Sequence, residues 1–194
     1  MLDKLKQYNV ILASGSPRRR ELLQQADIKF TVNTNFEVDE TYPLDLPAEE
    51  VAPYLSLKKS DGYPLSLNDN DILITADTVV IINGEILGKP TSRQNAVEIL
   101  TSLSGNTHRV ITGVTVRTKS NTETFSATSK VTFAELELSE IEYYIDNYKP
   151  FDKAGAYGIQ EWIGAVAIEK IEGSFYNVMG LPIQMLYKYL KTII

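Results

Sequence analysis

The chain has no cysteine, so disulfides, thiolate catalysis and cysteine-ligated zinc are all excluded. It has a single histidine, His108, so a multi-histidine metal site cannot be assembled and any histidine-based triad must pass through that residue. His108 lies in "SGNTHRVITG" and reads as an ordinary turn residue entering a strand. Positive charge is in short supply: 19 Lys and Arg against 25 Asp and Glu leave a formal net charge of −6. A general nucleic-acid binder needs a basic face to neutralise phosphates, so no nucleic-acid partner is expected. Long apolar runs are missing too. The start, "MLDKLKQYNVILASG", lacks the roughly 7–15-residue apolar stretch of a signal peptide, and no segment approaches the ~20 residues of a membrane helix. The expectation is a soluble, cytoplasmic protein with no membrane partner. Chemistry is left to carboxylates, lysines, arginines and hydroxyls.

At 194 residues the chain reads as one domain over 1–194. Residues 10–13 are apolar and β-prone, Ser14-Gly15 breaks the run, and Ser16 and Pro17 suit the N-cap and first position of a helix reaching about Ala26. "KFTVNTNFEVDE" alternates like a strand or hairpin, and a helix follows that Pro53 kinks or restarts. "DILITADTVVIINGEILGKP" reads as a central strand with a hairpin turn at Asn83-Gly84. Next come a helix in "SRQNAVEILTSLSG", two strands, a helix in "SEIEYYIDNY", a glycine-containing loop and a strand at 164–171. The final amphipathic helix, "LPIQMLYKYLKTII", is too short to span a bilayer and docks on the core. The class is mixed α/β, one sheet flanked by helices.

Three arginines follow the strand–turn boundary in "VILASGSPRRRELL". A turn of small residues before a helix offers free N–H groups and the positive dipole end to an anion. Cations there oppose the dipole by about 0.3–1 kcal/mol each, so they either serve an anion or form a solvated basic turn. Helical phase places Arg18 and Arg19 one turn before Leu22 and Leu23, above the buried stripe, whereas Arg20 aligns with Gln24 on the polar face. Arg18 and Arg19 are therefore the candidates for the ligand.

Asp77 interrupts "ILITADTVVII". A carboxylate in such a strand needs a metal, a cation or several donors. It reads either as a metal ligand or general base, or as a cap between strands. Thr78 alternates to the other face. "GEILGKPT" falls one residue short of a P-loop and has proline after its lysine, which leaves Lys89 either a phosphate contact or an exposed lysine. Glu37, Asp39 and Glu40 are either a source of a Mg²⁺ ligand or a solvated acidic run. In "DKAGAYGIQEW", the amide of Gln160 complements the N3–H and carbonyl acceptors of uracil or thymine.

In order along the chain, "LASGSPRRRELL", "ADTVV", "GEILGKP", "LSGNTHRVITGV" and "DKAGAYGIQ" resemble the Maf family of nucleotide pyrophosphatases, also called septum formation proteins. Each motif alone is weak, but the ordered set covers about 11–185. The resemblance implies a fold similar to inosine triphosphate pyrophosphatases, with a long mixed twisted sheet and two lobes around a central cleft, commonly as a homodimer. It implies hydrolysis of a nucleoside triphosphate to monophosphate and diphosphate with a divalent cation, Mg²⁺, Mn²⁺ or Co²⁺. It assigns Asp77 as proton acceptor, Ser14, Arg18, Arg19, Lys59 and Lys89 to phosphate, and Glu40 with Asp77 to metal. Arg18, Thr78 and Gln160 match the subfamily acting on dTTP and UTP. The subfamily acting on 7-methyl-GTP carries an aromatic residue after the proline and an acid in place of the glutamine. The adjacent Lys58 is a local departure that competes with Lys59 for its place. A non-catalytic, nucleotide-binding regulator of septum formation is the alternative, and it would need no water-activating acid.

Overall fold

The computed structural model describes residues 2–194. Helix α1 (Leu2–Leu5) leads into β1 (Asn9–Leu12), α2 (Pro17–Gln25), the two-residue β2 (Thr31–Val32) and α3 (Ala48–Asp61). Strand β3 (Asp71–Ile82) turns back as β4 (Glu85–Leu87) and is followed by α4 (Arg93–Leu103), β5 (Thr107–Arg117), β6 (Thr122–Phe133) and α5 (Leu138–Tyr148). Two 3-10 turns at Pro150–Asp152 and Ala154–Ala156 precede α6 (Trp162–Val166), β7 (Ile168–Glu172), α7 (Phe175–Met179) and α8 (Ile183–Ile193). The strands form one seven-stranded sheet in the order β2-β1-β3-β5-β6-β7, with β4 added on β3. Strand β1 is parallel to β2 and β3, whereas β3–β4 and β6–β7 are antiparallel, so the sheet is mixed as expected. The chain divides into two compact units, Met1–Asp77 with Thr112–Ala127 and Gly180–Ile194, and Thr78–Ile111 with Thr128–Met179.

In the first unit, Leu22 and Leu23 of α2 are fully buried, each worth about 1.5–3 kcal/mol, which anchors the helix that carries the arginines. Helix α8 docks through buried Leu186 and Leu190. Two expectations are corrected here. Helix α3 runs unbroken through Pro53, because a proline this close to the N-terminus forfeits a single main-chain bond while Val51, Ala52 and Leu55 remain buried. The strand or hairpin expected at 29–40 is only the two-residue strand β2, paired parallel to β1. Residues 36–41 instead lie along the C-terminal end of α3. Phe36 meets Tyr63 edge to face, Lys58 holds Asp39 and the Thr41 carbonyl, and Lys59 holds Glu40.

In the second unit, Asn83 and Gly84 both have positive φ, 51° and 85°, as a two-residue hairpin turn demands, and Ser92 caps α4 by accepting the Asn95 N–H. The strand expected at 164–171 is corrected to α6 followed by the shorter β7. A Cβ at Gly164 would lie 1.7 Å from the Ile159 carbonyl oxygen, so this glycine lets the chain coil tightly where the apolar pattern suggested extension.

His108 is also corrected. It is a core residue of β5, 1% exposed, with Nε2 2.7 Å from the Tyr157 hydroxyl and its ring edge to face with Phe133 and Tyr157. Burial pushes its pKa down to about 4 from 6.5. The unfolded chain therefore takes up a proton below pH 6.5 that the folded chain refuses until about pH 4. Stability contributed by neutral His108 is complete above the unfolded value and falls by about 1.4 kcal/mol per pH unit on acidification, roughly 3 kcal/mol across the window. Urea midpoints measured from pH 7 to 4 should show this slope, and His108→Gln should flatten it. An identical slope in the variant would refute the assignment.

Candidate active site

Strand β1 stops at Leu12, and the turn of residues 13–16 carries the chain into α2 with Pro17 at its first position. Ser14 is buried, and its hydroxyl oxygen accepts from the Ser16 N–H at 3.3 Å and from Arg19 Nη1 at 3.1 Å. The Ser16 side chain makes no capping bond. Arg19 also donates through Nη1 to the Ala76 carbonyl and through Nε to the Gly180 carbonyl, both at 2.8 Å. The half-buried Arg19 thus ties the turn to β3 and to the segment leading into α8. Desolvation lowers the pKa of its guanidinium, and Asp77 and Glu40 act against that shift.

Ala76 immediately precedes Asp77, so the same guanidinium that grips the turn fixes the backbone beside the strand carboxylate. Strand β3 is buried at every position except Asp77 and Thr78, the two half-buried residues in it. The cation that a strand aspartate requires is Lys59. Its Nζ donates to Asp77 Oδ1 at 2.6 Å and pairs with Glu40 Oε1 at 3.0 Å. Lys59 and Asp77 side chains are 17% and 13% exposed, and Glu40 is 54% exposed, so the pair reaches from the strand to solvent.

The two adjacent lysines of α3 divide their work. Lys58 donates to the Thr41 carbonyl at 2.8 Å and to its hydroxyl at 3.2 Å, and it pairs with Asp39 at 3.5 Å, which fastens the 39–41 backbone. Lys59 takes the acids on either side of it in space. The structure therefore brings Ser14, Arg19, Glu40, Lys59 and Asp77 together in the first unit and places Arg18 beside them on α2. Asp39 is held by the Thr41 hydroxyl and N–H, which depress its pKa.

Thr78, Lys89 and Gln160 belong to the second unit. Lys89 is exposed in the loop after β4. Gln160 is exposed directly after a segment, 155–159, that is buried throughout. Sequence reasoning missed Tyr144, Lys153 and Glu161, which brace that segment. A signal was present for Tyr144, because Ile141, Tyr144 and Ile145 form an i, i+3, i+4 stripe on α5.

Among the described residues, no three His, Cys, Asp or Glu side chains are grouped to cage a metal ion. Glu40 and Asp77 nevertheless meet on one ammonium, so their oxygens can face a common cation. Two carboxylates plus substrate phosphate oxygens and water are the donor set that Mg²⁺-type ions take. The residues fit a metal shared with a phosphate ligand. No helix among the described residues is long and apolar enough to cross a membrane.

These elements define an α/β protein in which a strand–turn–helix junction held by Arg19 and a lysine-bridged pair of carboxylates lie in the same unit. A family model described as Maf-like protein matches residues 9–193. The dTTP/UTP pyrophosphatase of Porphyromonas gingivalis is 52% identical over 193 residues, covering 98% of this chain and 97% of that protein. Its namesake from Bacteroides thetaiotaomicron is 50% identical with full coverage of both, and that from Flavobacterium johnsoniae is 45% identical, covering 99% of this chain and 98% of its own. A solved HAM1 protein from Coxiella burnetii aligns with a TM-score of 0.43 at 14% identity over 66% of this chain and 74% of that one. The chain belongs to the Maf family.

Proposed function

We propose that the chain is a dTTP/UTP pyrophosphatase, hydrolysing these nucleotides to the monophosphate and diphosphate. The carrying observation is Asp77, half-buried in an otherwise buried strand and joined through Lys59 to Glu40, in the unit that holds the Ser14–Arg19 turn. Full-length similarity near 50% to proteins of that name supports the same reading.

In this mechanism Asp77 accepts a proton from a water whose oxygen attacks the α-phosphorus. The new P–O bond forms as the bond to the α–β bridging oxygen breaks, and diphosphate departs with that oxygen. Ser14 and the turn N–H groups receive phosphate oxygens, while Arg18, Arg19, Lys59 and Lys89 offset the charge that builds on the leaving group. Lys59 also orients the Asp77 carboxylate. Glu40 and Asp77 would hold a divalent cation, which when bound supplies Lewis-acid neutralisation of the triphosphate. Gln160 reads the uracil or thymine edge with its paired donor and acceptor, and Arg18 and Thr78 complete the pyrimidine selection.

Diphosphate release should be measured across canonical and modified nucleoside triphosphates with Mg²⁺, Mn²⁺ or Co²⁺. Turnover should be highest with UTP, dTTP and modified pyrimidine triphosphates. Exclusive turnover of 7-methyl-GTP would overturn the substrate assignment, and nucleotide binding without diphosphate release would replace the enzyme with a regulator.

A further inference from the structure

Residues 158–161 form a closed four-residue turn. The Glu161 N–H donates to the Gly158 carbonyl at 3.0 Å, which leaves Ile159 and Gln160 as its two central residues. Ile159 is 5% exposed and plugs into the core, and Gln160, next to it, is driven outward. The turn is clamped a second time from α5. The fully buried Tyr144 hydroxyl accepts the Gly158 N–H at 3.0 Å and donates to Glu161 Oε2 in a short hydrogen bond, so one side chain bridges both ends of the turn.

Glu161 is in turn gripped through Oε1 by Lys153 Nζ at 3.1 Å, and Lys153 also reaches Asp152 at 2.8 Å. Lys153 is 7% exposed. A Cβ at Gly158 would lie 2.8 Å from the Glu161 carboxyl carbon, so a side chain there would have to displace that carboxyl group. The segment is also tied to the lysine loop, because the Gly155 N–H donates to the Gly88 carbonyl, one residue before Lys89.

Burying an ammonium, a carboxylate and a phenol costs desolvation that their pairing only partly returns, so such a network adds little to net stability. Its effect is geometric: the Tyr144 hydroxyl and the Lys153 ammonium restrain Gly158 and Glu161, the two ends of the turn that carries Gln160. Burial first, and then donation to Glu161, raise the Tyr144 pKa well above its ordinary value, so the hydroxyl stays protonated and keeps bridging at neutral pH.

We propose that Tyr144, supported by Glu161 and Lys153, is a positioning residue for base selection: it locks the 158–161 turn so that the Gln160 amide is held in one orientation towards the pyrimidine. This inference rests on the reading of Gln160 as the base contact. A polar group held to complement a substrate edge discriminates far better than a mobile one, and displacement by about 1 Å can cost up to ~10²-fold.

The test is Tyr144→Phe, which keeps the ring and removes the hydroxyl, assayed on the whole protein. KM for UTP should rise about tenfold with kcat within about twofold, and the UTP-over-CTP ratio of kcat/KM should fall about tenfold. The inhibition constant of inorganic tripolyphosphate, which has no base, should stay at the wild-type value. An equal weakening of tripolyphosphate, or an unchanged UTP-over-CTP ratio, would overturn the proposal. Gln160→Ala separates the two ideas. If it leaves the ratio unchanged, Gln160 does not read the base; if it collapses the ratio while Tyr144→Phe does not, only the positioning role fails. In the Gln160→Ala background, Tyr144→Phe should produce no further loss of selectivity, and an additive loss counts against the proposal. Should Tyr144→Phe lose its cooperative melting transition, Glu161→Gln decides on the same ratios, because it retains an acceptor for the hydroxyl and releases Lys153.

Discussion

Replacing Asp77 with asparagine is expected to cut diphosphate release from UTP by about 10²- to 10⁴-fold, the contribution of a positioned general base. The melting temperature should fall by only a few degrees. Asparagine has the same shape and still offers Oδ1 to Lys59, and Lys59 retains Glu40 at 3.0 Å, so no ammonium is left without a partner. The stability change is held to about 1–2 kcal/mol, that of one weakened charge-assisted bond. What the variant removes is the negative charge and the proton-accepting lone pair at the opening in β3. Initial rates of diphosphate release with UTP and Mg²⁺, read beside a calorimetric scan, check both halves. Wild-type turnover in a folded Asp77→Asn protein would remove Asp77 from the chemistry.

Asp77 also shows how far a single sequence can be read. An acid in the middle of "ILITADTVVII" must be paired, and that much follows from the cost of burying a charge. The identity of the partner does not. Lys59 comes from a helix ending ten residues before β3 begins, and its neighbour Lys58 has the same composition and nearly the same position. Only the packing of 36–41 along α3 decides that Lys58 fastens backbone and Lys59 bridges acids. The strand or hairpin expected there fails for the same reason: Phe36 packs against the buried cluster of Ile11, Ala13, Tyr63 and Leu73 and Val38 lies against Gly62 at the end of α3, and period two does not name the surface it meets.

Local signals that carry their own geometry did better. Asn-Gly at 83–84 turns as its positive φ values require, and Ser92 caps α4. The turn-like neighbours "SGNT" make His108 read as a turn residue at the mouth of its strand, although His108 and Val110 are both buried in β5. The glycines of "DKAGAYGIQEW" were visible as close-approach positions, but the brace from α5 was not, since Tyr144 and Gly158 meet only after the intervening chain has folded.

Replacing Arg19 with lysine is expected to lower stability by roughly 2–4 kcal/mol as well as activity, and the combination distinguishes the observed role from a purely electrostatic one. Helical phase places Arg19 above the buried stripe and makes it a candidate for a phosphate contact. In the structure its guanidinium first serves the protein, donating to the Gly180 and Ala76 carbonyls and to the Ser14 hydroxyl. A planar fork spans three acceptors in different directions, whereas a lysine ammonium is a point donor on a flexible stem and cannot satisfy them together. Buried carbonyls left without a donor each cost about 1–3 kcal/mol, part of which a relaxed lysine recovers. The lost bonds also free Ser14 and the backbone before Asp77, so kcat/KM for UTP should fall even though the net charge of the site is unchanged. Urea unfolding and steady-state rates on the same preparation measure the two effects. An Arg19→Lys protein with the wild-type unfolding midpoint and a raised KM alone would mean that charge at the turn is all that Arg19 provides.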